Sequence, residues 1–203
     1  MLELGNTFVL LGKHELDVPI PAGKLPIYFN PGYIEDYVFR VGRNSLLDLL
    51  VERGIAGKAV VDVGTGAGFI AIACARLGAS PVYAVENRDY PWEHAQANFA
   101  LNQLPIRLIR RLEEAGQTFA LVINNDNVLA TYLALLPSMA KAMKQDGTML
   151  LEVDEQAFHK QAVTKRGIPH GMQLLEATML TSKLKVSKKT EGPAGEFWEV
   201  KHA

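Results

Sequence analysis

Between residues 59 and 153, short apolar runs without polar alternation take turns with segments whose apolar positions recur every three or four residues. Residues 59–63, 82–85, 106–109, 119–123 and 148–153 read as strands, and 69–77, 92–102 and 129–143 as helices. Gly78 closes the first helix, and the turn Asp146-Gly147 precedes the last strand. Strands that are apolar on both faces and separated by helices indicate a parallel sheet covered on both sides. The predicted architecture is doubly wound α/β.

The flanks follow a different pattern. Residues 7–11 and 15–18 flank Gly12-Lys13-His14 and predict a short hairpin. Residues 19–32 hold Pro19, Pro21, Pro26 and Pro31 and read as a loop, while 34–53 carry helical periodicity up to Gly54. At the other end, 156–164 predict a helix, 166–171 a loop, and 172–180 fit helix and strand equally. Residues 184–190 and 197–202 flank Gly192-Pro193-Ala194-Gly195 as a terminal antiparallel hairpin. No linker interrupts the chain, so a single domain over 1–203 is expected. It comprises an N-terminal hairpin, loop and helix (1–55), a core (57–153) and a C-terminal hairpin region (154–203).

Composition narrows the classes. The 203 residues are 48% apolar and 21% charged with a net charge of -1, enough apolar surface to fold and no basic excess to release counterions from a polyanion. Nucleic acid is therefore not the expected partner. The start has neither a basic leader nor a small-residue cleavage site, and no run approaches the ~20 apolar residues of a membrane span. Cys74 is the single cysteine, which suits a reducing compartment, so a cytoplasmic protein is expected. The five histidines have no metal-ligand spacing, and no metal is assigned. Lys183, Lys185, Lys188 and Lys189 read as the solvated face of a strand.

The chemistry concentrates in VVDVGTGAGFIAIACARLGASPVYAVE, residues 60–86. Gly64, Gly66 and Gly68 follow a strand and open a helix, where a backbone without Cβ atoms can turn sharply and approach a ligand. A dinucleotide fingerprint starting at Gly64 would place its third glycine at position 69, which is Phe69. The pattern is instead D-x-G-x-G-x-G, led by Asp62, whose carboxylate suits a ligand carrying positive charge. Glu86 ends the second strand, where both carboxylate oxygens can serve the vicinal diol of a ribose.

These residues resemble those of the class I S-adenosylmethionine-dependent methyltransferases. The resemblance implies a Rossmann-like, mostly parallel seven-stranded sheet with a C-terminal antiparallel hairpin. It implies S-adenosyl-L-methionine as cofactor, held by Asp62, Gly64, Gly66, Gly68 and Glu86. Ala95, Asn98 and Asn102 in HAQANFALNQ are similar to the A-x-x-N-x-x-x-N helix of enzymes that methylate ribosomal proteins, release factors or adenine amino groups. From the residues alone, Asn98 and Asn102 read as side chains that cap or cross-link helix and loop. FALVINNDNVLATYLALLPSMAKAMKQDGTMLLEV, residues 119–153, looks closest to the ribosomal-protein lysine methyltransferases. In amine methylators the loop after this strand orients the acceptor nitrogen, so Asn124, Asn125 and Asp126 are the implied catalytic residues.

The expected reaction is in-line displacement at a sulfonium methyl, with a neutral nitrogen of a protein or other acceptor as nucleophile. The protein then supplies position and charge complementarity, with no covalent intermediate, and Cys74 belongs to packing. Two other readings stay open: a small-molecule methyltransferase, and a non-catalytic nucleoside-binding module. The residues do not indicate an oligomeric state.

Overall fold

The computed structural model describes residues 2–4, 7–9, 14–20, 23–29, 45–125, 128–155, 158, 171–192 and 195–203. The chain forms two compact units, Met1–Arg111 and Leu112–Ala203.

The first unit opens with two ribbons, β1 (Leu2–Leu4) paired with β2 (Thr7–Val9) and β3 (His14–Ile20) paired with β4 (Gly23–Phe29), both antiparallel. The expected hairpin joining 7–11 to 15–18 is therefore corrected: each segment pairs with a different neighbour. The expected loop over 19–32 is also corrected, because 23–29 is a strand. Asp17 lies opposite Pro26 and Pro19 opposite Lys24. A two-stranded ribbon consists only of edges, where a residue without an N–H is tolerated.

Helix α1 (Ser45–Glu52) follows, with Leu46, Leu47, Leu49 and Leu50 buried; the earlier part of the helix expected from 34 lies outside the described residues. Strands β5 (Val60–Val63), β6 (Val82–Val85) and β7 (Ile106–Ile109) run parallel, in that spatial order. They alternate with α2 (Phe69–Arg76) and α3 (Asp89–Asn102). Strands β5 and β6 are buried along their whole length, which explains the absence of polar alternation in their sequences. Helix α3 begins three residues before the periodicity suggested, with Pro91 in its first turn, where the missing N–H costs nothing.

The second unit holds a short 3₁₀ turn (Leu112–Ala115), β8 (Phe119–Asn124), α4 (Leu129–Ala142), β9 (Met143–Val153), α5 (Gly171–Thr181), β10 (Leu184–Gly192) and β11 (Gly195–His202). Strands β8 and β9 are parallel, β11 runs antiparallel to β9, and β10 antiparallel to β11. The terminal hairpin is thus observed, and the ambiguous 172–180 is helix. The helix expected over 156–164 and most of the loop 166–171 lie outside the described residues.

Met143–Val153 forms one strand, but its register passes from Met143 opposite Phe119 to Thr148 opposite Leu121, so residues 144–147 loop out at the expected Asp146-Gly147 turn and the regular ladder resumes at Thr148. A register shift between Phe119 and Leu121 accompanies this irregular start. A Cβ at Gly147 would lie 2.8 Å from Met143 Cγ and 2.9 Å from the Lys144 carbonyl, so the glycine serves close approach. The seven-stranded, mostly parallel sheet is of the doubly wound class expected.

Candidate functional site

The turn from β5 into α2 is built on positive backbone angles, with φ of 75° at Gly64, 56° at Gly66 and 91° at Gly68. L-residues with a Cβ rarely adopt these angles, so the glycine spacing reflects the path of the chain. The N–H groups of Gly64 and Thr65 both donate to the Val85 carbonyl at 2.9 Å, which ties the loop to the end of β6. Gly68 has a second constraint: a Cβ there would fall within van der Waals distance of the Phe99 ring, 2.8 Å from its Cζ.

Two carboxylates flank this loop. Asp62 is buried in β5, and its Oδ2 accepts the Thr65 hydroxyl at 2.6 Å. Burial raises the pKa of its carboxyl from 3.8 to about 6, against hydrogen bonds from Thr65 and the Ala71 backbone, with the Glu86 charge adding to the rise. In this structure Asp62 holds the loop and the first turn of α2 together.

Glu86, also buried, directly follows β6. Its Oε2 accepts the Gly66 N–H at 3.2 Å, joining two of the residues singled out from sequence. The remaining donors come from Arg88: backbone N and Nε to Oε1 at 3.0 and 3.1 Å, and Nη2 to Oε2 at 3.2 Å. Arg88 carried no signal in the sequence beyond its place two residues after Glu86.

Helix α3 supports the loop from behind. Asn98 Nδ2 donates to the Ala67 carbonyl at 2.9 Å, and Asn102 Nδ2 to the Asn98 carbonyl at 2.8 Å. The Asn98 amide thus links helix to loop as expected, whereas that of Asn102 bonds within α3. Cys74 is buried in α2, and burial first, then the Asp62 charge, push its thiol well above its usual range. Such a thiol stays protonated and packs as a small hydrophobe.

In the second unit Asn124 is the last residue of β8 and Asn125 follows it, both buried. The Tyr132 hydroxyl lies 3.0 Å from the Asn124 carbonyl and also within reach of the Glu152 carbonyl, fixing the end of β8. Asp126 lies outside the described residues. Among the described residues no three His, Cys, Asp or Glu side chains gather to hold a metal, and no helix is long and apolar enough to cross a membrane. Lys188 pairs with Glu199, and Lys189 pairs with Glu196 and stacks over Trp198, as on a solvated strand face.

The residues fit a nucleoside that carries an amino-acid tail. The glycine loop offers a backbone close to which a ligand can pass, and Glu86 offers a buried carboxylate at the carboxyl end of a parallel strand, where ligands of this fold collect. A family model described as "Ribosomal protein L11 methyltransferase (PrmA)" matches residues 45–156. A protein of Lacticaseibacillus paracasei named ribosomal protein L11 methyltransferase is 30% identical over 152 residues, 74% of this chain and 48% of its own length. The chain spans about half the length of the curated relatives it matches. A crystal structure of ribosomal protein L11 methylase from Lactobacillus delbrueckii subsp. bulgaricus superposes with a TM-score of 0.66 at 23% identity, covering 86% of this chain and 83% of that one. The Thermus thermophilus 16S rRNA N2 G1207 methyltransferase in complex with AdoMet and guanosine gives 0.65 at 17% identity, over 94% and 50%.

Proposed function

The chain belongs to the ribosomal protein L11 methyltransferase family, and from that membership we propose that it methylates a nitrogen of ribosomal protein L11 with S-adenosyl-L-methionine as donor. The observation that carries the proposal is the 3.2 Å hydrogen bond between the Gly66 N–H and the Glu86 carboxylate. It supports the reading by joining the glycine loop to a buried carboxylate able to accept ribose hydroxyls.

The donor supplies an activated methyl group on a sulfonium. The chain's task is to position and desolvate. Gly64, Gly66 and Gly68 hold the amino-acid portion, and Asp62 keeps that loop in shape through Thr65. Glu86 accepts the ribose hydroxyls. Asn124 closes β8, Asn125 and Asp126 come next in the chain, and the side-chain oxygens of this segment orient the acceptor N–H and accept the positive charge that grows on the nitrogen. The proposed ribosomal acceptor supports the reading of a cytoplasmic protein.

The test is transfer of labelled methyl from S-adenosylmethionine to purified ribosomal protein L11. Label in L11 supports the proposal. Label only in small molecules would move the activity to another acceptor class, and tight cofactor binding without transfer to any acceptor would make this a binding module.

A further inference from the structure

We propose that Arg88 is a competitor built into the cofactor site, a side chain that occupies the ribose acceptors of Glu86 and must give them up before the nucleoside binds. The inference rests on the cofactor reading above and concerns the affinity of that same site.

The argument is one of acceptor capacity. An ionised carboxylate offers about four lone-pair positions, two on each oxygen. Oε1 of Glu86 receives the backbone N–H and Nε of Arg88, and Oε2 receives the Gly66 N–H and Nη2 of Arg88. All four positions are filled by the protein's own donors. A ribose diol brings two O–H donors and needs two of those positions.

The four present donors differ in how easily they leave. Gly66 N and Arg88 N belong to the backbone, one in the glycine loop and one at the entry to α3, and cannot withdraw without moving those elements. Nε and Nη2 belong to a side chain that is 61% exposed, whereas that of Glu86 is 2% exposed. A guanidinium this open to water regains hydration when it leaves, and its ion pair with Glu86 is partly screened. The two guanidinium donors also sit one on each oxygen, in the bidentate fork that a vicinal diol would copy. The ribose therefore exchanges with the guanidinium, and the backbone N–H groups hold the carboxylate in place throughout.

It follows that cofactor affinity carries the cost of opening the Arg88–Glu86 pair. Removing the guanidinium should tighten binding, because Glu86 keeps both backbone donors and its orientation.

The experiment is calorimetric titration of S-adenosylhomocysteine into the full wild-type chain, Arg88→Met and Arg88→Lys, with melting temperatures measured in parallel. Arg88→Met should bind about 3- to 10-fold tighter, as expected for loss of a half-exposed bidentate pair. Arg88→Lys, which keeps the charge but not the fork, should fall between. Equal or weaker binding by a folded Arg88→Met variant overturns the competitor role alone, while the wild type still binds. Binding by neither wild type nor variant overturns the ribose reading and this one with it. Loss of folding in Arg88→Met with retained, wild-type-like binding in Arg88→Lys would likewise overturn it, by making the side chain structural.

Discussion

The Asn98 side-chain amide donates to the Ala67 carbonyl at 2.9 Å, so helix α3 holds the glycine loop that opens α2. Asn98 is fully buried, and no water can replace it without opening the packing. Replacing it by alanine leaves a buried carbonyl without this partner, which costs about 1–3 kcal/mol. Asn98→Ala should therefore melt earlier and bind cofactor more weakly. Thermal unfolding with and without S-adenosylhomocysteine measures both, and an unchanged melting temperature would free the loop from α3.

Gly68 gives a sharper prediction, because two constraints meet there. Its φ of 91° disfavours any L side chain, and the Phe99 ring occupies the place of a Cβ. Gly68→Ala should destabilise by more than the ~1 kcal/mol typical of a glycine backbone effect. In the double variant with Phe99→Leu the steric part should be recovered and the backbone part should remain. A double-mutant cycle from denaturant unfolding reports the coupling, and additive effects would mean that the ring is not the obstacle.

Asp62 should leave a pH signature. Its pKa rises from 3.8 to about 6 on folding, mainly through burial. The folded state thus binds this proton more readily than the unfolded one, so the contribution to stability is complete below about pH 4 and is lost as pH rises toward 6. The span corresponds to roughly 3 kcal/mol at about 1.4 kcal/mol per unit. Asp62→Asn removes the titration. Its stability relative to wild type should climb between pH 4 and 6 and level off above. A difference that is flat across that window would show that Asp62 does not titrate there.

Asn124 should govern turnover more than cofactor affinity. It closes β8, at the carboxyl end of a parallel strand, where ligands of this fold collect. Losing an orienting group of this kind costs about 2.7–4 kcal/mol in the barrier, or ~100- to 1000-fold in rate. Asn124→Ala should lower the single-turnover rate by that order while the Kd for S-adenosylhomocysteine stays within a few-fold. A variant that melts earlier but turns over normally would assign Asn124 to structure.

How much of this was legible in the sequence depended on whether the signal was local. Strands β6 and β7 appear at the residues their apolar runs marked, because each run follows a breaker, Pro81 or Pro105, although only β6 is buried along its length. The glycine loop and Glu86 could be found because positive φ and a strand-ending carboxylate are demanded by single positions. Strand pairing is not local: Thr7–Val9 has its partner behind it in the chain, at Leu2–Leu4, and the turn-like Gly12-Lys13-His14 suggested one ahead. Prolines misled for a related reason, since a ribbon such as β3–β4 accepts them where a central strand would not. Asp146-Gly147 was legible because turn chemistry is local: Gly147 comes against Met143 and the Lys144 carbonyl, and the regular ladder of β9 resumes at Thr148. The grip of Arg88 on Glu86 depends on a side-chain conformation, which no spacing rule encodes.

The most direct test of the central claim, that Glu86 holds the ribose of S-adenosylmethionine beside the glycine loop, is the Kd of S-adenosylhomocysteine for wild type and Glu86→Ala, measured by calorimetry. Losing hydrogen bonds to a charged acceptor costs about 1.5–3 kcal/mol, so the variant should bind roughly 10- to 150-fold more weakly while remaining folded. An unchanged Kd in a folded variant would place the ribose elsewhere and contradict the account.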